Sequence, residues 1–168
     1  MFLVPSMIRM MLDEMPVDWQ VPASFRWLYY AGSPIQSDTQ DQATRAFGGR
    51  LVQSFAQMES PMFFTVLDGA GHVRCVDDEL LTVRSAGRVL PGVELTIVDE
   101  AGRAVPTGTD GEITAQAPQT MIGYWHRPEE TAKALVDGWL HTGDVGHLDE
   151  AGNLYVVDRL KDMIVTGG

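Results

Sequence analysis

The chain has 168 residues, 45% of them hydrophobic and 21% charged, with a net charge of −11. That length suffices for one domain or two small subdomains burying roughly 70% of the unfolded surface. The acidic balance excludes a nucleic-acid module that binds through a basic stripe, but it leaves room for a nucleotide held by backbone amides and a metal.

Cys75 is the only cysteine, so an internal disulfide and a cysteine-based metal site are both excluded. It reads as a small apolar residue. Met1 to Leu12 is fairly apolar, yet it lacks a basic n-region and is too short to span a bilayer. The expectation is a cytoplasmic protein without a transmembrane segment.

Met1 to Met15 predicts a helix: Pro5 suits a first turn, and Ile8, Met11, Leu12 and Met15 recur at helical spacing. The methionines read as core. A loop with Pro16 and Pro22 follows. Phe25 to Ala31 predicts a buried strand running into the turn Gly32-Ser33-Pro34. Ser37 or Asp38 is placed to cap a helix that ends at Phe47, before Gly48-Gly49. Leu51 to Phe55 predicts a second strand. Strand, helix and strand in that order favour a parallel pair, with ligand loops at the carboxyl ends: residues 31–34 and 56–60.

From Gly87 the pattern changes. Val89 to Val98 reads as extended with a bend at Gly92, and Gly111 to Gln116 alternates as a strand. The tetrapeptide Asp-Glu-Ala-Gly occurs at 99–102 and again at 149–152, which reads as repeated turn chemistry. Pro128, Glu129 and Glu130 open a helix with Ala132, Leu135 and Val136 on one face and Gly138 past its end. The expected fold is α/β: part of a parallel α/β subdomain over 1–85, then a mostly antiparallel, β-barrel-like subdomain over 86–158.

The closing residues hold two charged groups of interest, Asp144 in a Thr-Gly-Asp turn and Arg159 after an apolar run. The intervening residues 148–154 read as a hairpin that would bring both to one end of a ribbon. Each has an ordinary reading too, as a turn residue and an exposed strand charge. Glu59 is either a water-exposed loop glutamate or a carboxylate compensated by a metal or donor. The four histidines, at 72, 126, 141 and 147, show no ligand spacing and read as structural or surface residues. Asp77-Asp78-Glu79 and Glu129-Glu130 read as solvated faces. No phosphate loop of the Gly-x-x-x-x-Gly-Lys-Ser/Thr type occurs, nor Gly-x-Gly-x-x-Gly, Gly-x-Ser-x-Gly or His-Glu-x-x-His.

Five stretches, in order, resemble motifs of the adenylate-forming enzymes, the superfamily of acyl-coenzyme A synthetases, peptide-synthetase adenylation domains and luciferases. Residues 31–35, Ala-Gly-Ser-Pro-Ile, resemble its Gly-Gly-Ala-Pro-Leu element. Residues 55–59, Phe-Ala-Gln-Met-Glu, resemble Tyr-Gly-x-Thr-Glu. Gly111-Glu112-Ile113 through Gly123-Tyr124-Trp125 resembles the Gly-Glu-Leu to Gly-Tyr element. Residues 138–144 resemble Gly-Trp-x-x-Thr-Gly-Asp, and residues 158–162, Asp-Arg-Leu-Lys-Asp, resemble the hinge motif.

The resemblance implies an ATP-dependent carboxylic acid:coenzyme A ligase, for a fatty or other apolar acid, acting with Mg²⁺. It also implies a nucleotide-site set: Gly32, Ser33 and Pro34 along the purine, Phe55 stacked on it, with Ala56, Gln57 and Met58 beside them. Val156 would pack near the adenine, and Asp144 and Arg159 would contact the ribose. Glu59 would hold Mg²⁺, and Lys161 would sit in the hinge, residues 159–168. Met58 stands where the family has Thr, so a hydroxyl donor to phosphate is lost; Ala56 replaces Gly. A Ser/Thr/Gly-rich phosphate loop upstream and a C-terminal domain beyond Gly168 are expected elsewhere in the same enzyme, and this chain alone is expected not to adenylate. Two other readings stay open: an amino-acid adenylation domain that loads a carrier-protein thiol, and a non-catalytic nucleotide-binding remnant.

Overall fold

The structure, a computed structural model, describes residues 1–76 and 79–159. Its contacts divide the chain into two compact units. One comprises Met1–Phe55 with Thr65–Gly87, the other Ala56–Phe64 with Arg88 onward.

The first unit opens with strand β1 (Phe2–Leu3) and helix α1 (Pro5–Asp13). The single helix expected from Met1 is therefore split. Pro5 disfavours helical geometry at the residue before it, and Val4 is extended, with φ −93° and ψ 157°. Strand β2 (Leu28–Tyr30) is shorter than the expected 25–31, because Phe25 sits in a turn, donating to the Pro22 carbonyl, and packs on Phe47. Helix α2 (Ser37–Phe47) begins where expected, but neither Ser37 nor Asp38 caps it. Gln36 holds the N-cap position, with no side-chain bond. One 3₁₀ turn, Gly48–Arg50, leads into strand β3 (Leu51–Gln57).

Strands β1, β2 and β3 pair in parallel, Tyr29 facing Phe2 on one side and Val52 on the other. The crossover helix thus joins a parallel pair, as its length requires. Ile8, Leu28, Tyr30, Ala43, Phe47 and Leu51 form the core, with Met11, Leu12 and Met15 packed against it. Trp19 meets Phe47 edge-on at 5.2 Å.

A buried polar knot lies in the same unit. Tyr30 donates to Gln53 Oε1 at 2.7 Å, and His72 Nε2 lies 3.2 Å from the same hydroxyl. His72 Nδ1 lies 2.6 Å from the Asp68 carbonyl, so Nδ1 carries the proton, and the one Tyr30 hydrogen faces two acceptors, Gln53 Oε1 and His72 Nε2. Burial lowers the His72 pKa and raises that of Tyr30.

Strand β4 (Ser60–Leu67) follows β3 after two residues and carries the chain from the second unit back to the first. The expected ligand loop at 56–60 is thus a tight hairpin whose turn is Met58-Glu59. Strands β5 (Val73–Val76) and β6 (Glu79–Thr82) form an antiparallel hairpin. Asp77 and Asp78 lie outside the described residues.

The second unit continues through β7 (Gly87–Val89), β8 (Glu94–Val98) and β9 (Gly111–Gln116), then helix α3 (Pro128–Ala134). Leu135 and Val136 do not extend that helix. They form strand β10 (Leu135–Val136), antiparallel to Trp139 and Leu140 at the start of β11 (Trp139–Leu148). Strand β12 (Asn153–Arg159) closes the run. The order β8-β9-β11-β12 is antiparallel and open rather than closed into a barrel. Its core is Ile97, Val98, Ile113, Ala115, Leu140, Val145 and Leu154.

The recurring tetrapeptide folds alike at both sites. Asp99 Oδ1 accepts from Ala101 N and Arg103 N; Asp149 Oδ1 accepts from Ala151 N and Asn153 N. Gly102 and Gly152 follow at φ 74° and 77°. Among the described residues, no helix is long and apolar enough to cross a membrane.

Candidate nucleotide site

Strand β11 carries the central carboxylate. Its pairing with β9 shifts between His141 and Val145, so Thr142, Gly143 and Asp144 form a bulge inside a continuous strand rather than the expected turn. Gly143 makes this possible, with φ 69°. The bulge is braced on the β9 side. Glu112 Oε1 accepts from Gly143 N at 3.1 Å, and Glu112 Oε2 lies 2.7 Å from His141 Nδ1. The Thr142 hydroxyl donates to the Ile113 carbonyl at 2.6 Å and accepts from Asp144 N at 3.1 Å.

The hairpin expected from residues 148–154 does bring Asp144 and Arg159 together. They are Cα partners across β11 and β12, and Arg159 Nε donates to Asp144 Oδ1 at 2.8 Å. Asp144 is buried at 4% exposure, whereas the Arg159 side chain is 65% exposed. Gln57 donates from Nε2 to Asp144 Oδ2 at 2.9 Å and to the Thr142 carbonyl at 2.7 Å. A buried carboxylate needs such donors, since burial without compensation is costly. Each carboxylate oxygen holds one of these bonds and keeps acceptor capacity for another.

Glu59 lies at the β3–β4 turn, half-buried. Its Oε1 accepts from the Tyr124 hydroxyl at 2.7 Å, and its carbonyl accepts from Met121 N at 2.7 Å. The loop carrying Tyr124 is thereby fastened to the hairpin. Among the described residues, no cluster of three or more His, Cys, Asp or Glu could hold a metal by itself. A lone carboxylate with one oxygen free of Tyr124 suits Mg²⁺, which is bound through one or two carboxylates, water and substrate phosphate.

In the first unit, Gly32, Ser33 and Pro34 follow β2 and are exposed, and Phe55 lies half-buried on β3. Tyr30 and Gln53 are register partners, so both segments leave the carboxyl edge of the same parallel pair. Gly32 has φ 95°. In the second unit Ala56 is half-buried, and the Met58 side chain stands 89% exposed at the hairpin tip. Val156 is half-buried on β12, opposite Gly146. Lys161 lies outside the described residues. Glu112 and Tyr124 entered the sequence reading only as motif letters; nothing local in the sequence marks them as partners of Gly143 and Glu59.

Comparison with known proteins fits this geometry. The sequence signature described as "AMP-binding enzyme" matches residues 1–125. The chain is 40% identical over 166 residues to a medium/long-chain-fatty-acid–CoA ligase, FadD8, of Mycobacterium tuberculosis, covering 99% of this chain and 28% of that protein. It is 36% identical over 165 residues to a fatty acid–[acyl-carrier-protein] ligase, ScoC, of Streptomyces coeruleorubidus, covering 98% of this chain and 31% of that one. Among solved structures it resembles o-succinylbenzoate coenzyme A synthetase of Bacillus subtilis in complex with ATP and magnesium ion. The TM-score is 0.81 and the identity 28%, over 99% of this chain and 33% of that one. This chain thus spans about a third of the length of such relatives, and it belongs to the adenylate-forming, AMP-binding enzyme family.

Proposed function

We propose that the chain supplies the adenosine-binding part of an ATP-dependent acid:thiol ligase, acting on a fatty or other apolar acid. The observation that carries this reading is the buried Asp144 carboxylate, oriented by Gln57 and Arg159 and retaining acceptor capacity on both oxygens. A ribose presents two adjacent hydroxyl donors, which a carboxylate accepts as a pair. Arg159 reaches Asp144 through Nε, which leaves its terminal nitrogens to donate to ribose oxygens. Hydrogen bonds to charged groups contribute about 1.5–3 kcal/mol each.

In this reading Phe55 stacks on the purine, worth roughly 1–3 kcal/mol. The resemblance assigns Gly32, Ser33 and Pro34 to the purine's edge, Val156 to its vicinity, and Ala56 and Met58 to the same motif as Phe55. Glu59 holds Mg²⁺, with Tyr124 fixing the other carboxylate oxygen. When bound, Mg²⁺ neutralises phosphate charge as the α-phosphorus is attacked. Lys161 belongs to the hinge between the two half-reactions. In the first, a carboxylate oxygen bonds to the α-phosphorus, the bond to the β-phosphate breaks, and pyrophosphate leaves. In the second, a thiolate attacks the acyl carbon and AMP leaves.

The likeness to FadD8 favours coenzyme A as the thiol, and the likeness to ScoC keeps a carrier-protein thiol as the second reading. Cytoplasmic location is part of the proposal, resting on the lone Cys75, which forms no internal disulfide. Calorimetric titration with AMP tests the site, with Asp144→Ala as the control. Binding lost in that variant supports the ribose assignment, and equal binding by both overturns it.

A further inference from the structure

Gln57 is the third residue of the Phe-Ala-Gln-Met-Glu stretch, which the family resemblance places against the nucleotide. Its geometry points elsewhere. Nε2 lies 2.7 Å from the Thr142 carbonyl and 2.9 Å from Asp144 Oδ2. Both neighbours are acceptors without a hydrogen to give, so the NH₂ end of the amide faces them and commits one hydrogen to each. The donor half of the side chain is spent on β11.

Thr142 lies in the bulge, where the β9–β11 register skips from His141 to Val145. Its carbonyl accepts from Gln57. The same amide therefore ties a backbone atom of the bulge to the carboxylate that the bulge projects. Arg159 also reaches Asp144, but from a long, mostly exposed side chain. Gln57 is tethered to β11 at two points, one of them backbone.

We propose that Gln57 is a positioning residue, which acts on the ribose through Asp144 and not by touching the nucleotide. This rests on the ribose reading given above. By occupying one lone pair of Oδ2, Gln57 fixes the rotation of the carboxylate and so the directions left for the ribose hydroxyls.

The test is a ligand-and-variant cycle by calorimetry on the whole chain, using AMP and 2′,3′-dideoxy-AMP as probes. The parent binds AMP more tightly than the dideoxy nucleotide. Gln57→Leu, which removes both donors, loses about tenfold in AMP affinity while its affinity for dideoxy-AMP is unchanged. Gln57→Glu, which sets a second carboxylate beside Asp144, loses at least as much. Gln57→Lys keeps a donor toward Asp144 and retains the preference for AMP, and circular dichroism checks that each variant is folded. In the Asp144→Ala background, Gln57→Leu has no further effect. A loss shared equally by both nucleotides, or no loss at all, overturns the positioning role and leaves the ribose reading standing. A parent that binds the two nucleotides equally removes both.

Discussion

Tyr124 donates its phenolic hydrogen to Glu59 Oε1 at 2.7 Å, across 65 residues of sequence. That hydrogen bond, the burial of the ring and the nearby negative charge push the phenol pKa up to about 12. Replacing Glu59 by Gln keeps the shape but removes the charge, so the phenol is predicted to titrate back toward about 10. An alkaline titration with ¹³C-labelled tyrosine, followed by NMR, resolves Tyr124 from the other tyrosines. An unchanged titration in Glu59→Gln means that the two side chains are not joined in solution.

His72 predicts an acid-sensitive stability. Burial depresses its folded pKa below the unfolded value, which is about 6.5. Between the two values the unfolded chain binds more protons, so stability rises with pH in that window and is lost as pH falls through it. Above about pH 6.5 this group contributes no slope. Urea unfolding at several pH values is expected to show a decline below that point, at most about 1.4 kcal/mol per pH unit from this residue. The variant His72→Gln removes that component. A slope equal in both proteins assigns it to other groups, and Asp99 and Asp149 are not among them in that range. Hydrogen bonds hold both carboxyls below their ordinary pKa, for Asp149 against an opposing effect of burial, so their stabilisation is lost only on stronger acidification.

Gly143 isolates the bulge. A Cβ at this position would meet nothing within 4 Å, so the cost of Gly143→Ala is the left-handed backbone alone. That cost is about 1–2 kcal/mol. Chemical denaturation should show a loss of that size. If the bulge relaxes to avoid the strain, Asp144 turns away from Gln57 and AMP affinity falls with stability. A fully stable variant with parent affinity would mean that the positive φ at Gly143 is not required.

The pairing of Asp144 with Arg159 was legible because two apolar runs flank a turn that spells its own geometry: Asp149 accepts from the amides two and four residues on, and Gly152 takes the left-handed position. The bulge was not legible. Thr-Gly-Asp reads as a turn in isolation, but in the strand Glu112, 31 residues away from Gly143, takes up the freed amide, and the Thr142 hydroxyl and Gln57 hold its neighbours. Helix α3 is shorter than its apolar spacing suggests for a similar reason. Leu135 and Val136 continue its apolar spacing, but Asp137 and Gly138 adopt φ 50° and 85°, the signature of a two-residue hairpin turn. Pairing with Trp139 and Leu140 then outweighs another helical turn. The bonds from Tyr124 to Glu59 and from Gln57 to Asp144 have no local pattern, since a hydrogen bond across 65 or 87 residues leaves no periodicity to read.

AMP titration of the parent and of Asp144→Ala decides whether Asp144 accepts the ribose hydroxyls of an adenine nucleotide. With two charge-assisted hydrogen bonds at stake, the parent is expected to bind measurably and the variant to lose at least about tenfold in affinity. Binding of AMP with the same affinity and the same heat by both proteins would contradict it.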